Sequence, residues 1–445
     1  MGVDDTDSHL GHCTTYLGYH LVMRLIELGG KFSEYPRLVR LNPNVPFKTR
    51  GNAAVAVEFE CGDSGEIFEE ACKIVEEYSD VDNGANSGMV LIDNPMQLPF
   101  FASIYRRAIG EVVNKRGVIN ALKEKGARVF TLGNGMGVVG AAAGIGFDGS
   151  LDHTYELLAY RRREHCGTPR MVDKNSVRRM DEETFPRTFN NYDYQRDRVL
   201  ITPHGPDPVF LGIRADSPQV LLEAFKRVEF SENLEGHMIY VSNQCTDAHL
   251  SRGLSLPLKA YSAGMIVGRV SGLTSGDGGH LYFELETGRG QVRCAVYEPA
   301  GDLRKVVQFL VPGDVIEVAG GVRRATPKHD STINVERIHV LSRARQVNAR
   351  NPRCRGCGTR MKSEGTGKGF QCRACGRRAS ERENTPLRRT LMEGLYLPSP
   401  RARRHLTKPL VRYGRETNGE SCPLVKGWFS ASEPRLLRVP ARTLL

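Results

Sequence analysis

Four cysteines near the C-terminal end constrain this chain more than any other feature: Cys354-x-x-Cys357 and Cys372-x-x-Cys375, with fourteen residues between the pairs. Each CxxC sets two thiolates on one tight turn, and the intervening segment suffices for a β-ribbon that closes a tetrahedral four-thiolate zinc site. Gly356, Gly358 and Gly376 let the chain bend around the ion. Four protein thiolates leave no open coordination position, so the zinc is expected to be structural. Redox CxxC pairs are the alternative, and two at ribbon spacing fit it poorly. The other seven of the 11 cysteines are scattered, which argues against a disulfide framework.

The ribbon opens a basic end. Residues 346–445 hold 22 Lys and Arg against 7 Glu, whereas residues 1–345 hold 40 against 44 acidic residues, within a formal net charge of +11. A basic arm on a near-neutral body suits a polyanion, since phosphate neutralisation supplies most non-specific nucleic-acid affinity. A solvated basic tail is the alternative. After about Gly419 the Pro and Arg content reads as disordered. A chain of 445 residues exceeds one hydrophobic core, and roughly 150 residues per domain suggests about three units. No run reaches the roughly 18 apolar residues of a membrane helix. Asp4, Asp5 and Asp7 stand where a secretory signal is basic and then apolar. A soluble, cytoplasmic protein without membrane association is expected. Met1-Gly2 with Thr6 formally fits a myristoylation pattern, but no second membrane signal accompanies it.

From Ala263 to Val340 five strand-like runs alternate with turn signals: MIVGRVSGL, HLYFELET, QVRCAVYE, DVIEVAGGV and INVERIHVL. Gly-Asp turns and one short helix-like stretch after Glu298 complete the pattern of an OB-fold barrel. Tyr282, Phe283 and Tyr297 are its candidate stacking platforms for a single strand, and an inert spacer barrel is the alternative. The N-terminal half is mixed α/β. Thr14–Leu28 and Ile67–Tyr78 carry helical spacing, while KTRGNAAVAVEFEC and SGMVLID read as strands. Between Val199 and Val241 the order is strand, turn, strand, helix, strand, with Ser217-Pro218 marking the helix start. That alternation is compatible with a ferredoxin-like α+β unit.

The densest chemical signal is Gly2-Val3-Asp4-Asp5-Thr6-Asp7-Ser8, followed by Gly11-His12-Cys13-Thr14-Thr15. Three carboxylates within four residues repel one another, and a loop tolerates them when a cation such as Mg2+ sits there and bridges to phosphate. Thr14 and Thr15 then begin a helix whose free N–H groups favour phosphate. An acidic loop with an N-cap is the bland reading. Lys48 and Arg50 flank Thr49 ahead of Gly51-Asn52 and can clamp a polyphosphate, or be two solvated cations at a turn. Asn86-Ser87-Gly88 is a further small polar loop. No GxxxxGK[ST] loop occurs, so an ATP site must be of another kind. Gly135-x-Gly137-x-x-Gly140 follows the strand-like ARVFTL and superficially matches a dinucleotide fingerprint, with Glu156 a poor stand-in for the expected acidic residue.

Taken in order, GVDDTDS…GHCTTYL, RLNPNVPFKTRGN, GNGMGVVGA, DHTYELLAYR, PHGPDPVFLGIR, NQCTDAHL, the barrel and the four-cysteine ribbon resemble the archaeal tRNA-isoleucine 2-agmatinylcytidine synthetase family over about residues 1–415. The resemblance implies a multi-domain α+β protein: an ATP-dependent α/β kinase-like domain (1–135), a ferredoxin-like α+β domain (136–255), an OB-fold β-barrel (260–342), a zinc ribbon (350–382) and a basic segment (383–445). It implies ATP-dependent joining of agmatine to C2 of the wobble cytidine in the CAU anticodon of tRNA-Ile, so that AUA is decoded. Asp4, Asp5 and Asp7 would hold Mg2+ and nucleotide, and Thr14 would accept phosphate as ATP is broken down to AMP. Thr15, Lys48, Arg50, Gly51, Asn52, Asn86, Ser87 and Gly88 would line the ATP site. Asp152, His153, Asp207 and Asp247 would receive agmatine. The barrel and ribbon would grip the tRNA, with the acceptor stem the expected contact, and no obligate protein partner is inferred. Family members carry a few apolar residues before the position of Gly2, so either the true start lies upstream or the first strand is cut short.

Two rival readings remain at this point. A non-catalytic single-strand-binding factor of OB fold plus zinc ribbon leaves the N-terminal aspartates and threonines without purpose. An NAD enzyme would use the glycine motif at 135–140.

Overall fold

A computed structural model describes residues 1–298, 300–327, 329–419 and 421–431. The chain forms two compact units: Met1–Ile266 with Ala319–Glu336 and Leu397–Leu445, and Val267–Val318 with Arg337–Tyr396. Among the described residues no helix is long and apolar enough to cross a membrane.

The first unit is organised by one ten-stranded sheet. Its strands are β1 (Gly2–Asp4), β2 (Arg37–Arg40), β3 (Ala53–Ala56), β4 (Gly88–Leu91), β5 (Arg128–Thr131), β6 (Thr154–Arg161), β7 (Thr188–Phe189), β8 (Val209–Ala215) and β9 (Leu234–Ser242), in the order β5-β4-β1-β3-β2-β9-β6-β8-β7. Phe429–Ala431 pairs with β9 as the tenth. Both halves are antiparallel inside, and the one parallel pair, β2 with β9, joins them at Arg37↔Val241 and Leu38↔Ser242. The second half runs β6, α6 (Lys174–Thr184), β7, β8, α7 (Pro218–Phe225), β9. With sheet order β9-β6-β8-β7 this is the ferredoxin-like arrangement expected from the strand-helix alternation.

β1 is only three residues long, yet it pairs on both sides, with Val3 opposite Val55 of β3 and Met89 of β4. Three helices position what it carries. α1 (Thr14–Glu27) buries Leu17, Leu21 and Leu25, spaced four apart on one face. Each such side chain contributes about 1.5–3 kcal/mol on leaving water. α2 (Ser64–Tyr78) starts where the Asp63 side chain accepts from the Gly65 N–H. α5 (Gly137–Ile145), the helix after α3 (Leu98–Ala108) and α4 (Lys115–Glu124), is almost wholly apolar and packs on β1, β3 and β4. A division at 135/136 would therefore part α5 from the half-sheet it covers.

The second unit carries most of the barrel. Strands Ala263–Ser275, Leu281–Thr287, Gly290–Val296, Val315–Arg323 and Thr332–Ser342 close on themselves because the third also pairs with the fifth. The helix Asp302–Phe309 fills the expected place between third and fourth strands. Phe283 is 1% exposed and belongs to the barrel core, so it is no stacking platform; its neighbour Tyr282 points the other way, as strand alternation requires. Tyr282 and Tyr297 stand at 90° with centroids 6.3 Å apart, and Arg293 lies 4.7 Å over Tyr282.

Residues 421–431 depart from the disorder expected of the tail after Gly419. Trp428 is buried against Tyr35 and Phe32, and Phe429–Ala431 is a strand. Residues 432–445 of that tail lie outside the described residues.

Candidate functional site

β1 delivers the chain into the acidic loop. Asp5 (φ +58°) and His12 (φ +57°) take the left-handed conformation that non-glycine residues adopt rarely, so the surroundings must hold it. The Asp5 carbonyl accepts from the Asn86 N–H (3.1 Å) and the Ser87 hydroxyl (3.2 Å), and the Thr6 carbonyl accepts from the Asp80 N–H (3.0 Å). The Asn86-Ser87-Gly88 turn thus underpins the loop. Burial first, then the Asp5 charge, pushes the Asp4 carboxyl well above its ordinary range. Burial and Asp7 push Asp5 to about 6.

The glycine motif meets this loop. A Cβ on Gly137 would fall on the Asp4 carbonyl and 2.6 Å from the Gly88 nitrogen; one on Gly140 would overlap the Asp4 carboxylate, with Cγ at 2.6 Å. These glycines let the first turns of α5 settle directly on Asp4, which explains the motif without a dinucleotide. Beside them a cavity of about 60 Å³ is lined by Asp4, Asp5, Lys48 and Asn52 together with apolar Leu41, Val45, Phe47 and Met136.

A larger cavity of about 290 Å³ shares Asn52 with it and takes its walls from both half-sheets and the C-terminal segment. Thr14 and Thr15 enter it from the first turn of α1. Thr6 donates its hydroxyl to Thr14 Oγ1 at 3.1 Å. The buried hydroxyls of Tyr160 and Tyr240 donate to the Thr15 carbonyl at 2.9 and 3.0 Å, which fixes that turn. Asp7 accepts from the Thr49 hydroxyl (3.0 Å) and from Arg50 Nε (2.9 Å). Arg50 also reaches Asp207 (3.1 Å) and the carbonyls of Gly11 and His12. Asp207 holds Arg170 as well, yet burial outweighs both cations and raises its carboxyl. Glu156, 1% exposed, pairs with Arg214 at 2.9 Å and accepts from Gln244. Lys48 Nζ donates to the Arg50 carbonyl at 3.1 Å, and burial, then Arg404, lowers its ammonium below the usual range.

Of the residues singled out from sequence, Asp4, Asp5, Lys48 and Asn52 meet in the small cavity, and Asp7, Thr14, Thr15, Arg50, Gly51, Asn52 and Asp207 in the larger. Asp152, His153 and Asp247 line neither. Asp152 is engaged by Arg412 (2.7 Å) and Lys408 (2.8 Å), and Asp247 accepts from the Tyr413 hydroxyl (2.6 Å) and the Lys408 N–H (2.8 Å). His153 is buried, its Nδ1 at 3.0 Å from the Leu151 carbonyl. The C-terminal segment has taken the carboxylates that sequence reasoning offered to a ligand. Sequence reasoning in turn passed over Arg40, Glu156, Arg214 and His405 as cavity residues. The side-chain alternation that puts Glu156 and Leu158 on one face of β6 was a usable signal; nothing local marks His405.

Within the second unit the four cysteines form the metal-type centre. Their sulfurs all lie within 4.8 Å of one another, with Cys354–Cys375 and Cys357–Cys372 at 3.4 Å. Bonds of about 2.3 Å to a tetrahedral zinc place sulfurs at roughly this spacing. The Cys372/Cys375 knuckle lies between the strands Phe370–Gln371 and Arg378–Ala379, the Cys354/Cys357 knuckle inside the Arg353–Arg360 bridge, and Met361 and Phe370 pack beneath. Among the described residues no other set of three or more His, Cys, Asp or Glu side chains lies within that spacing.

Comparison with known proteins agrees piece by piece. Residues 1–67 match the TiaS TCKD domain, 135–249 the TiaS FLD domain, 265–341 an OB-fold nucleic acid binding domain and 351–391 the TiaS C-terminal zinc ribbon domain. A tRNA-isoleucine 2-agmatinylcytidine synthetase TiaS from Cenarchaeum symbiosum is 42% identical, covering 93% of each chain. The protein of the same name from Archaeoglobus fulgidus is 38% identical over 94% of this chain and 98% of its own. The crystal structure of TiaS in complex with its isoleucine tRNA and ATP superposes with a TM-score of 0.83 at 36% identity, over 94% and 98% of the chains. That of TiaS with the same tRNA, AMPCPP and agmatine does so at 0.81 and 34%, over 92% and 96%.

Proposed function

The chain belongs to the tRNA-isoleucine 2-agmatinylcytidine synthetase family, and from that premise we propose how its own residues carry out the reaction. It is an ATP-dependent tRNA-modifying ligase that joins agmatine to the wobble cytidine of the CAU anticodon of tRNA-Ile, with structural zinc in the ribbon. The amine replaces the C2 carbonyl oxygen. Oxygen is a poor leaving group until it takes a phosphoryl group from ATP, whose phosphoanhydride bond breaks as the new O–P bond forms. The amine nitrogen then bonds to C2, the C2–O bond breaks, phosphate departs with the oxygen, and the ammonium gives up its protons.

Asp4 and Asp5 suit a divalent cation. Both carboxyls are costly to ionise where they stand, one raised well above its range and the other to about 6, and a dication beside them would offset that cost. They would hold Mg2+, which when bound neutralises polyphosphate charge. Leu41, Val45, Phe47 and Met136 offer the adenine an apolar wall, while Lys48, Arg50, Gly51 and Asn52 surround the phosphates. Thr14 presents its hydroxyl as phosphate acceptor at the first turn of α1, where free N–H groups favour an anion. Asn86, Ser87 and Gly88 keep Asp5 in its strained conformation. Asp207 is the carboxylate offered to the agmatine guanidinium; Asp152 and Asp247 are already satisfied by the C-terminal segment. The barrel and ribbon bind the tRNA. We place the protein in the cytoplasm, where ATP and tRNA meet.

The observation that carries the reading is proximity: the acidic-loop cavity and the Thr14 cavity share Asn52 in their walls. A nucleotide in the first can therefore present phosphate to the second. A non-catalytic strand-binding factor needs neither cavity. The test incubates tRNA-Ile bearing CAU with ATP, Mg2+ and labelled agmatine. Label should enter the tRNA, and Asp5→Asn or Thr14→Ala should abolish it. Incorporation that survives both substitutions refutes the roles given to the acidic loop and Thr14.

A further inference from the structure

Three arginines and three carboxylates face the larger cavity, and the pairing among them is uneven. Arg50 is held by Asp7 and Asp207, and Arg214 by Glu156. Arg40 has no carboxylate partner among the described residues, and its Nε is shielded from solvent with no hydrogen-bond partner. A cation placed so, at a cavity wall and stripped of part of its hydration, is expected to meet an anion that arrives from outside.

His405 stands beside it. The C-terminal segment carries this residue into the cavity and is pinned there by its backbone: the Cys245 N–H donates to the His405 carbonyl and the Asp247 N–H to the Leu406 carbonyl, both at 2.8 Å. Arg214 Nη2 lies 3.3 Å from His405 Nδ1. A guanidinium can only donate, so Nδ1 accepts and the ring proton resides on Nε2. Nε2 points toward Gly51, 3.6 Å from where a Cβ would stand, and Arg40 Nη1 crowds that same point. Gly51 is glycine because the guanidinium passes where a side chain would begin. Two donors, one charged and one neutral, therefore converge next to Thr14 and Asn52.

We propose that Arg40 and His405 together bind a phosphoryl group in the Thr14 cavity. The inference rests on the synthetase reading and adds to it two phosphate-binding residues, one from the C-terminal segment. Neutral imidazole is the state the site enforces: Arg40 foremost, then burial, Arg214 and Lys48 hold His405 well below its ordinary value. Such a ring donates to an anion without adding to the repulsion among the surrounding cations.

Two sources offer the same chemistry, the polyphosphate of ATP and a tRNA phosphodiester. The experiment titrates full-length wild type, Arg40→Gln, His405→Ala and His405→Gln separately with Mg-ATP and with unmodified tRNA-Ile bearing CAU. Arg40→Gln and His405→Ala should each weaken one of the two ligands about tenfold or more, the loss of a charge-assisted hydrogen bond. His405→Gln, which keeps a neutral donor at similar reach, should stay within about threefold on the same scale. Weakened ATP assigns the group to nucleotide, and weakened tRNA with unchanged ATP assigns it to the phosphodiester. Unchanged affinity for both ligands in Arg40→Gln and His405→Ala, with wild-type unfolding curves, overturns the proposal, and if His405→Ala fails to fold, unchanged affinity for both in Arg40→Gln overturns it. Failure of the wild type to bind either ligand would overturn the family reading along with it.

Discussion

Replacing Arg412 with Met asks how firmly the C-terminal segment belongs to the catalytic unit. Its side chain is fully buried, donating to Asp216 (3.0 Å), to Asp152 (2.7 Å) and to the carbonyls of Cys245 (2.7 Å) and His153 (3.2 Å). Burial raises the Asp216 carboxyl despite Arg412 and Arg415, so desolvation consumes much of the attraction in the intact network. Breaking it is another matter. Removing one partner of a buried pair strands the other charge and costs about 3–5 kcal/mol. Lys408 remains on Asp152 at 2.8 Å and Arg415 on Asp216 at 2.9 Å, which puts the expected loss for Arg412→Met near the lower end, about 3 kcal/mol. Trp428 is the only tryptophan in the chain, so its fluorescence during urea unfolding follows the docked segment directly. The variant should lose Trp428 burial at lower urea. The double variant with Asp152→Asn should lose less than the sum of the single effects, because the stranded carboxylate is gone. A shift below about 1 kcal/mol, with strict additivity, would refute the reasoning.

Gly137→Ala should overpack backbone against backbone at Asp4 and Gly88, cost about 1–3 kcal/mol, and depress ATP turnover by more than tenfold; unimpaired turnover would show that α5 can shift freely. Cys372→Ser should abolish stoichiometric zinc and unfold the ribbon while ATP still binds, and simultaneous loss of ATP binding would contradict the independence of the two centres. Arg40, Arg214 and Lys48 hold His405 below the ordinary imidazole value of 6.5, so the unfolded chain takes up that proton first as pH falls. Stability from this site is therefore complete above 6.5 and declines on the acid side, and His405→Gln should flatten that decline; an unchanged slope would refute the assignment.

Much of the site was legible where the signal is local. The two CxxC pairs bring their sulfurs together because each pair is fixed by its own turn. The acidic loop, the start of α1 at Thr14, the five barrel strands and the strand-helix-strand order at 209–242 all follow from spacing within a dozen residues. Asp152 and Asp247 show where this stops. Each looked like a spare carboxylate beside a motif, but a carboxylate's partner is decided by what the fold brings near, and Lys408, Arg412 and Tyr413 arrive from more than 150 residues away.

The sequence by itself therefore determined the zinc centre, the carboxylates and hydroxyls of the acidic loop, and the kind of each domain, because turn geometry and hydrophobic period act over short distances. Tertiary structure alone decided that Gly137 and Gly140 admit α5 onto Asp4, that Phe283 faces the barrel core, that Asp7 turns to Arg50, and that Arg40, Glu156, Arg214 and His405 share a cavity with Thr14. Charge pairing and burial are properties of the folded neighbourhood. The C-terminal segment had no motif to announce it, and it became part of the site through one buried arginine, one tryptophan and three residues of strand.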